Sequence, residues 1–147
     1  MERRAFPLIF MLAFALAACQ HRAGEGEASH AAAACDNSAL LRAHSTHATN
    51  VEVTICGPVT RVLPERRTRS GRHEYFYVEV APRDDVEIIA NVDVMGDVPV
   101  HTGEQARVRG RYFHDPNGRE GIDWTHHATP GSRWPSGYIT LDGATYR

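Results

Sequence analysis

Five runs that alternate apolar and polar residues, each bounded by turn-forming residues, constrain this chain to a fold of short strands. In the first, Val51, Val53 and Ile55 alternate with Glu52, Thr54 and Cys56; Gly57-Pro58 interrupts the run and Val59 to Leu63 resumes it. A glycine inside a strand pattern marks a bulge or a sharp bend. A long, bent first strand is what a small closed barrel needs. A polar loop over 64–72 follows. The second strand, Tyr75–Val80, sets Phe76, Val78 and Val80 on one face and Tyr75, Tyr77 and Glu79 on the other. The third is Val86–Val94, followed by a Gly96–Gly103 loop holding one helical turn. The fourth, Gln105–His114, lines Arg107, Arg109 and Arg111 along its outer face. Asp115-Pro116-Asn117-Gly118 is a hairpin turn. The fifth strand, Gly121–His126, turns Ile122, Trp124 and His126 inward and Asp123, Thr125 and His127 outward. The remaining chain is loop-rich, with a last hairpin over Tyr138–Tyr146 around Asp142-Gly143. A short helix begins at the capping residues of Cys35-Asp36-Asn37-Ser38 and runs to about His47. The expected fold is therefore all-β: a small five-stranded OB-like barrel with a short N-terminal helix and a loop-rich C-terminal hairpin. Eight strands, as a lipocalin-like barrel requires, are not present in the pattern.

The first residues carry a different signal. Arg3 and Arg4 precede an apolar run from Phe6 that ends in Leu16-Ala17-Ala18-Cys19. A positive start, a short apolar core and a small-residue cleavage site make a secretory signal, too short to span a bilayer. The cysteine after Leu-Ala-Ala resembles the bacterial lipobox, in which that residue carries acyl chains such as palmitate and becomes the mature N-terminus. The expected organisation is a lipoprotein signal peptide over 1–18, a flexible tether over 19–34 rich in Ala, Gly, Glu and His, and a single domain over 35–147. The expected location is the cell envelope, lipid-anchored and facing the periplasm. Gln20 after Cys19 favours the outer membrane over the inner.

Removing residues 1–18 leaves 147 − 18 = 129 residues and takes away Glu2, Arg3 and Arg4, so the net charge moves from −2 to −3. That length is enough for one buried core. That charge gives no global attraction to nucleic acid, which is an unexpected partner. With Cys19 assigned to lipid, Cys35 and Cys56 remain as a pair in an oxidising compartment. Their spacing fits no zinc or Cys-x-x-Cys pattern, and a structural disulfide is favoured over a metal or redox pair.

Two constellations carry candidate chemistry. In the first, Arg72 and His73 open the second strand and Asp123, Trp124, Thr125, His126 and His127 end the fifth. Two or three of His73, His126 and His127 meeting at a barrel mouth could hold zinc or act as acid and base. The favoured reading is hydrogen-bonded histidines that shape the barrel end. In the second, Tyr75 and Tyr77 share an outer face with Arg107, Arg109 and Arg111, near the basic loop residues Arg66, Arg67, Arg69 and Arg72. Aromatics with a basic rim are how OB barrels bind single strands and oligosaccharides. The favoured reading is a solvated face with Arg stems over Tyr rings, and if the face binds, the expected ligand in this compartment is an anionic glycan or a lipid headgroup. No nucleophile motif, phosphate loop or zinc signature is present in the sequence. The expected function is a binding or envelope-assembly module without a cofactor; the alternative is a zinc-dependent hydrolase using His73, His126 and His127.

The strings Gly71-Arg72-His73-Glu74, Val62-Leu63-Pro64, Ile89-Ala90-Asn91-Val92-Asp93 and above all Trp124-Thr125-His126-His127 resemble a bacterial family of uncharacterised lipoproteins and periplasmic proteins, domain of unknown function 3465. The resemblance spans about Cys35 to Arg147 and implies no particular activity.

Overall fold

The structure, a computed structural model, describes residues 34–147. The signal segment, Cys19 and all of the expected tether but its last residue lie outside the described residues. Helix α1 (Asn37–Ser45) starts where Asp36 accepts the backbone N–H of Ala39 at 3.0 Å, and buries Leu40 and Ala43 against the sheet. Seven strands follow: β1 (Val51–Thr68), β2 (Gly71–Ala81), β3 (Asp84–Asn91), β4 (Gln105–His114), β5 (Glu120–Asp123), β6 (Tyr138–Leu141) and β7 (Ala144–Tyr146). One helical turn, α2 (Val92–Met95), leaves β3. No helix among the described residues is long and apolar enough to cross a membrane.

The first half of β1, Val51–Pro58, pairs antiparallel with β4, and the second half, Val59–Thr68, with β2. The switch falls between Pro58 and Val59, just after Gly57. A Cβ on Gly57 would collide with the Glu79 carbonyl oxygen, so the bend admits no side chain. β2 pairs with β3, β3 meets β5 in parallel at Ile88–Ile122, and β5 pairs with β4. The pairings therefore close a five-strand ring in the order β1-β2-β3-β5-β4-β1, the connectivity of an OB fold, as the alternating runs predict. β6 and β7 extend the sheet beyond β4 as the expected final hairpin. Ile55, Phe76, Val78, Ile88, Val108, Tyr112, Ile122 and Ile139 are buried in the core. Burial of each large apolar side chain is worth about 1.5–3 kcal/mol.

Cys35 and Cys56 form a disulfide with a Cα–Cα distance of 5.7 Å, joining the segment before α1 to β1. Asn37 reinforces the same junction: its side-chain amide donates to the Cys56 and Val80 carbonyls and accepts the Cys56 N–H.

Three sequence expectations are corrected here. Residues 64–72 are not a loop: β1 runs through Pro64 to Thr68 and turns tightly into β2 at Gly71. The irregular register between Leu63 and Arg66 accommodates the proline. The helical turn sits at Val92–Met95, earlier than the Gly96–Gly103 loop, because Asn91 caps it by accepting the Asp93 N–H. The fifth strand ends at Asp123, since Trp124 takes a left-handed backbone with φ 54°. That turn breaks the alternation. Thr125, expected outside, is fully buried, and Trp124, expected in the core, is only half-buried.

Candidate functional site

A cleft of about 500 Å³ opens on the outer face of β2 and β3, a size typical of small-molecule sites. Its floor comes from residues that strand alternation turns away from the core. His73 and Tyr75 of β2 stand opposite Asn91 and Ile89 of β3 in register. Thr68 and Ser70 of the β1–β2 hairpin close one end, and Arg119 of the β4–β5 turn another. Asp123 at the end of β5, with Trp124 and His126 just after it, forms the facing wall.

The left-handed turn at Trp124 builds that wall. It sends Thr125 inward, where its hydroxyl donates to the Ile89 carbonyl of β3 at 2.9 Å. It leaves Trp124 and His126 facing each other with ring centroids 5.4 Å apart. Gly137 packs behind the segment and donates its N–H to the His126 carbonyl at 2.8 Å. A Cβ at Gly137 would lie 2.6 Å from the Arg109 carbonyl oxygen and 2.9 Å from the Thr125 Cα, so only glycine fits this approach.

Both cleft histidines have one ring nitrogen already committed. His73 Nδ1 lies 3.0 Å from the Gly71 carbonyl oxygen, and His126 Nδ1 lies 2.7 Å from that of His127. A carbonyl only accepts, so each Nδ1 carries its hydrogen and, in the neutral ring, Nε2 holds the lone pair left for a ligand. His73 and His126 are both buried.

The charged groups at the rim are largely paired. Arg111 binds the Asp123 carboxylate through both Nε and a terminal nitrogen, and this hydrogen bonding raises the guanidinium pKa further. Arg119 reaches the buried Glu87 at 2.8 Å. Arg72 points to the other side of β2, to Asp93 at 3.0 Å and Glu65 at 3.3 Å. The backbone and side-chain hydrogen bonds from Arg72 hold the Asp93 carboxyl below its usual range.

The structure thus brings together His73, Asp123, Trp124 and His126, with Thr125 buried beneath them. It leaves out Arg72 and His127. His127 is exposed and serves His126 through its backbone carbonyl. Among the described residues, three His, Cys, Asp or Glu whose ligand atoms all lie within 4.8 Å of one another occur at Glu65, Glu74 and Asp97; His73, His126 and His127 do not form such a set. The alternative zinc reading draws on all three rings: His73 and His126 line the cleft with Nδ1 on a carbonyl, the state in which Nε2 can ligate, while His127 is exposed and outside the lining.

The expected ligand face is also redrawn. Tyr75 is buried and lines the cleft, and Tyr77 is half-buried beside it. Arg107, Arg109 and Arg111 do not join them, because β1 separates β4 from β2 in the ring. Arg109 pairs instead with Glu52, and Arg111 with Asp123. The arginines that reach the tyrosines belong to β1: Arg61 lies over Tyr77 and Arg66 over Tyr75. Asn91 and Ile89 line the cleft beyond the residues expected from sequence. The signal was present in their phase, since Ile88 and Ala90 are the buried positions of β3.

The chain matches the family described as protein of unknown function (DUF3465) over residues 27–147. The chain belongs to this family. The match takes in the whole ring and every residue lining the cleft. No curated protein matches the chain.

Proposed function

We propose that the chain is a binding module of the cell envelope that takes a sugar-sized, hydroxyl-rich ligand in the His73–His126 cleft. One observation carries this reading: a cleft of about 500 Å³ on the outer β2–β3 face lines aromatic faces, Tyr75 and Trp124, with the hydrogen-bonding groups of His73, Asn91 and His126. A sugar ring offers an apolar face to an aromatic and hydroxyls to acceptors such as Nε2. The strand 2–3 face with its flanking loops is also where OB folds hold oligosaccharides, which supports the reading by analogy of fold. Leu16-Ala17-Ala18-Cys19 supports a lipid anchor that holds the module on a membrane, facing the periplasm, and Gln20 favours the outer membrane. Cys19→Ala is expected to release the protein from the membrane fraction or leave it uncleaved.

The chain has two tryptophans, Trp124 and Trp134, and only Trp124 lines the cleft. Titration of the full chain with short oligosaccharides is expected to change its fluorescence saturably. Trp134→Phe is expected to retain the response and Trp124→Phe to lose it. No saturable response to any oligosaccharide up to about 10 mM, beyond the weak end of specific binding, would overturn the proposal.

A further inference from the structure

Asp123 of the cleft wall is paired with Arg111, and Glu87, opposite Tyr77 in register, with Arg119. Two guanidiniums on the same face are left over. Arg61 lies 4.0 Å from the centroid of the Tyr77 ring and Arg66 lies 5.3 Å from that of Tyr75. Both are exposed, and neither forms an ion pair among the described residues. A guanidinium laid over a ring is oriented by it while its N–H edge stays open, and that edge matches a carboxylate or phosphate. Tyr75 and Tyr77 are two residues apart on one strand face, about 7 Å along the strand, so the two cations lie over neighbouring rings. Tyr75 is itself a cleft residue, so this cationic edge is continuous with the cleft.

We propose that Arg61 and Arg66 form an anion subsite at the rim of the cleft, and that the ligand is an acidic oligosaccharide. One sugar ring sits in the cleft against Trp124, and the carboxylate or phosphate of the same or the next residue is held by the two guanidiniums on Tyr75 and Tyr77. This inference rests on the reading of the cleft as a sugar site. The Arg107, Arg109 and Arg111 row takes no part in it.

The test is calorimetric titration of the full chain, at low and at 0.3 M salt (~), with two probes: a glucuronate-containing tetrasaccharide and the neutral N-acetylglucosamine tetramer. The wild-type chain is expected to bind the acidic probe about tenfold more tightly at low salt, as one charge-assisted contact allows, with the preference shrinking as salt rises. In Arg61→Gln/Arg66→Gln the preference is expected to vanish while affinity for the neutral probe stays within about twofold. An unchanged melting curve for that variant shows that the loss is not unfolding. Equal affinity for both probes in the wild-type chain, or a preference that survives the double substitution, overturns the anion subsite and leaves the cleft reading standing. Failure of both probes to bind overturns the cleft reading and this inference with it.

Discussion

The Thr125 hydroxyl donates to the Ile89 carbonyl at 2.9 Å, tying the segment after β5 to β3 where the ring is closed by a single parallel contact. Thr125 is fully buried, so this bond is made away from water. Thr125→Val keeps the shape and deletes the donor, leaving a carbonyl unpaired. The expected cost is about 1–3 kcal/mol in urea unfolding, with ligand binding weakened because the cleft wall loosens. A stability equal to that of the wild-type chain would show that the wall is held by other contacts.

Trp124 separates a structural role from a functional one. A core tryptophan costs about 3–5 kcal/mol on truncation. Trp124 is half-buried and strained at φ 54°, so Trp124→Ala is expected to cost less than that, about 2 kcal/mol at most, while abolishing binding at the cleft. Thermal unfolding and a ligand titration on the same sample check both halves.

The strand pattern was legible because core positions repeat every second residue within strands, as at Phe76, Val78 and Val80 and at Ala106 and Val108. The helix start and the Asp115–Gly118 turn were legible for equally local reasons, and the Cys35–Cys56 pair because assigning Cys19 to lipid leaves just those two. The site was legible only in part. Period two extrapolates through Trp124, and nothing in the residues Ile122 to His126 announces a left-handed turn there; it is held by Gly137, eleven or more residues away, and by the Ile89 carbonyl. Pro64 read as a loop because it breaks most ladders, yet an irregularity between Leu63 and Arg66 carries β1 past it. Arg107, Arg109 and Arg111 share the outward phase of Tyr75 and Tyr77, but strand phase does not report that β1 lies between β4 and β2 in the ring.

The disulfide and Asn37 secure the same junction by independent means. Cys35→Ser/Cys56→Ser is expected to lower unfolding stability by about 3 kcal/mol in the chain-entropy picture, with α1 still docked through Asn37. Circular dichroism and urea titration of the double variant measure both. Two free thiols in the oxidised, denatured wild-type protein would contradict the bond itself.

Acid should unfold the chain through Glu120. Burial alone would raise its pKa, but hydrogen bonds from Tyr112, His44 and His114 outweigh that and hold it below the usual carboxyl range. The folded-state value lies below the unfolded one, so this contribution is complete above the unfolded pKa and is lost as pH falls through the folded value. Stability is expected to decline below about pH 4.5, the unfolded carboxyl value, and Glu120→Gln is expected to flatten that decline. An identical acid limb in the variant would assign the transition to other carboxylates.

The most direct measurement is nitrogen NMR of the full chain with labelled histidine rings, with and without the glucuronate-containing tetrasaccharide. The free protein is expected to show His73 and His126 as Nδ1–H tautomers. Addition of the saccharide is expected to shift the Nε2 resonances of those two rings saturably and to leave His44 and His101, outside the cleft, unmoved. Saturable binding that shifts the outlying histidines and leaves Nε2 of His73 and His126 in place would contradict the assignment of the site.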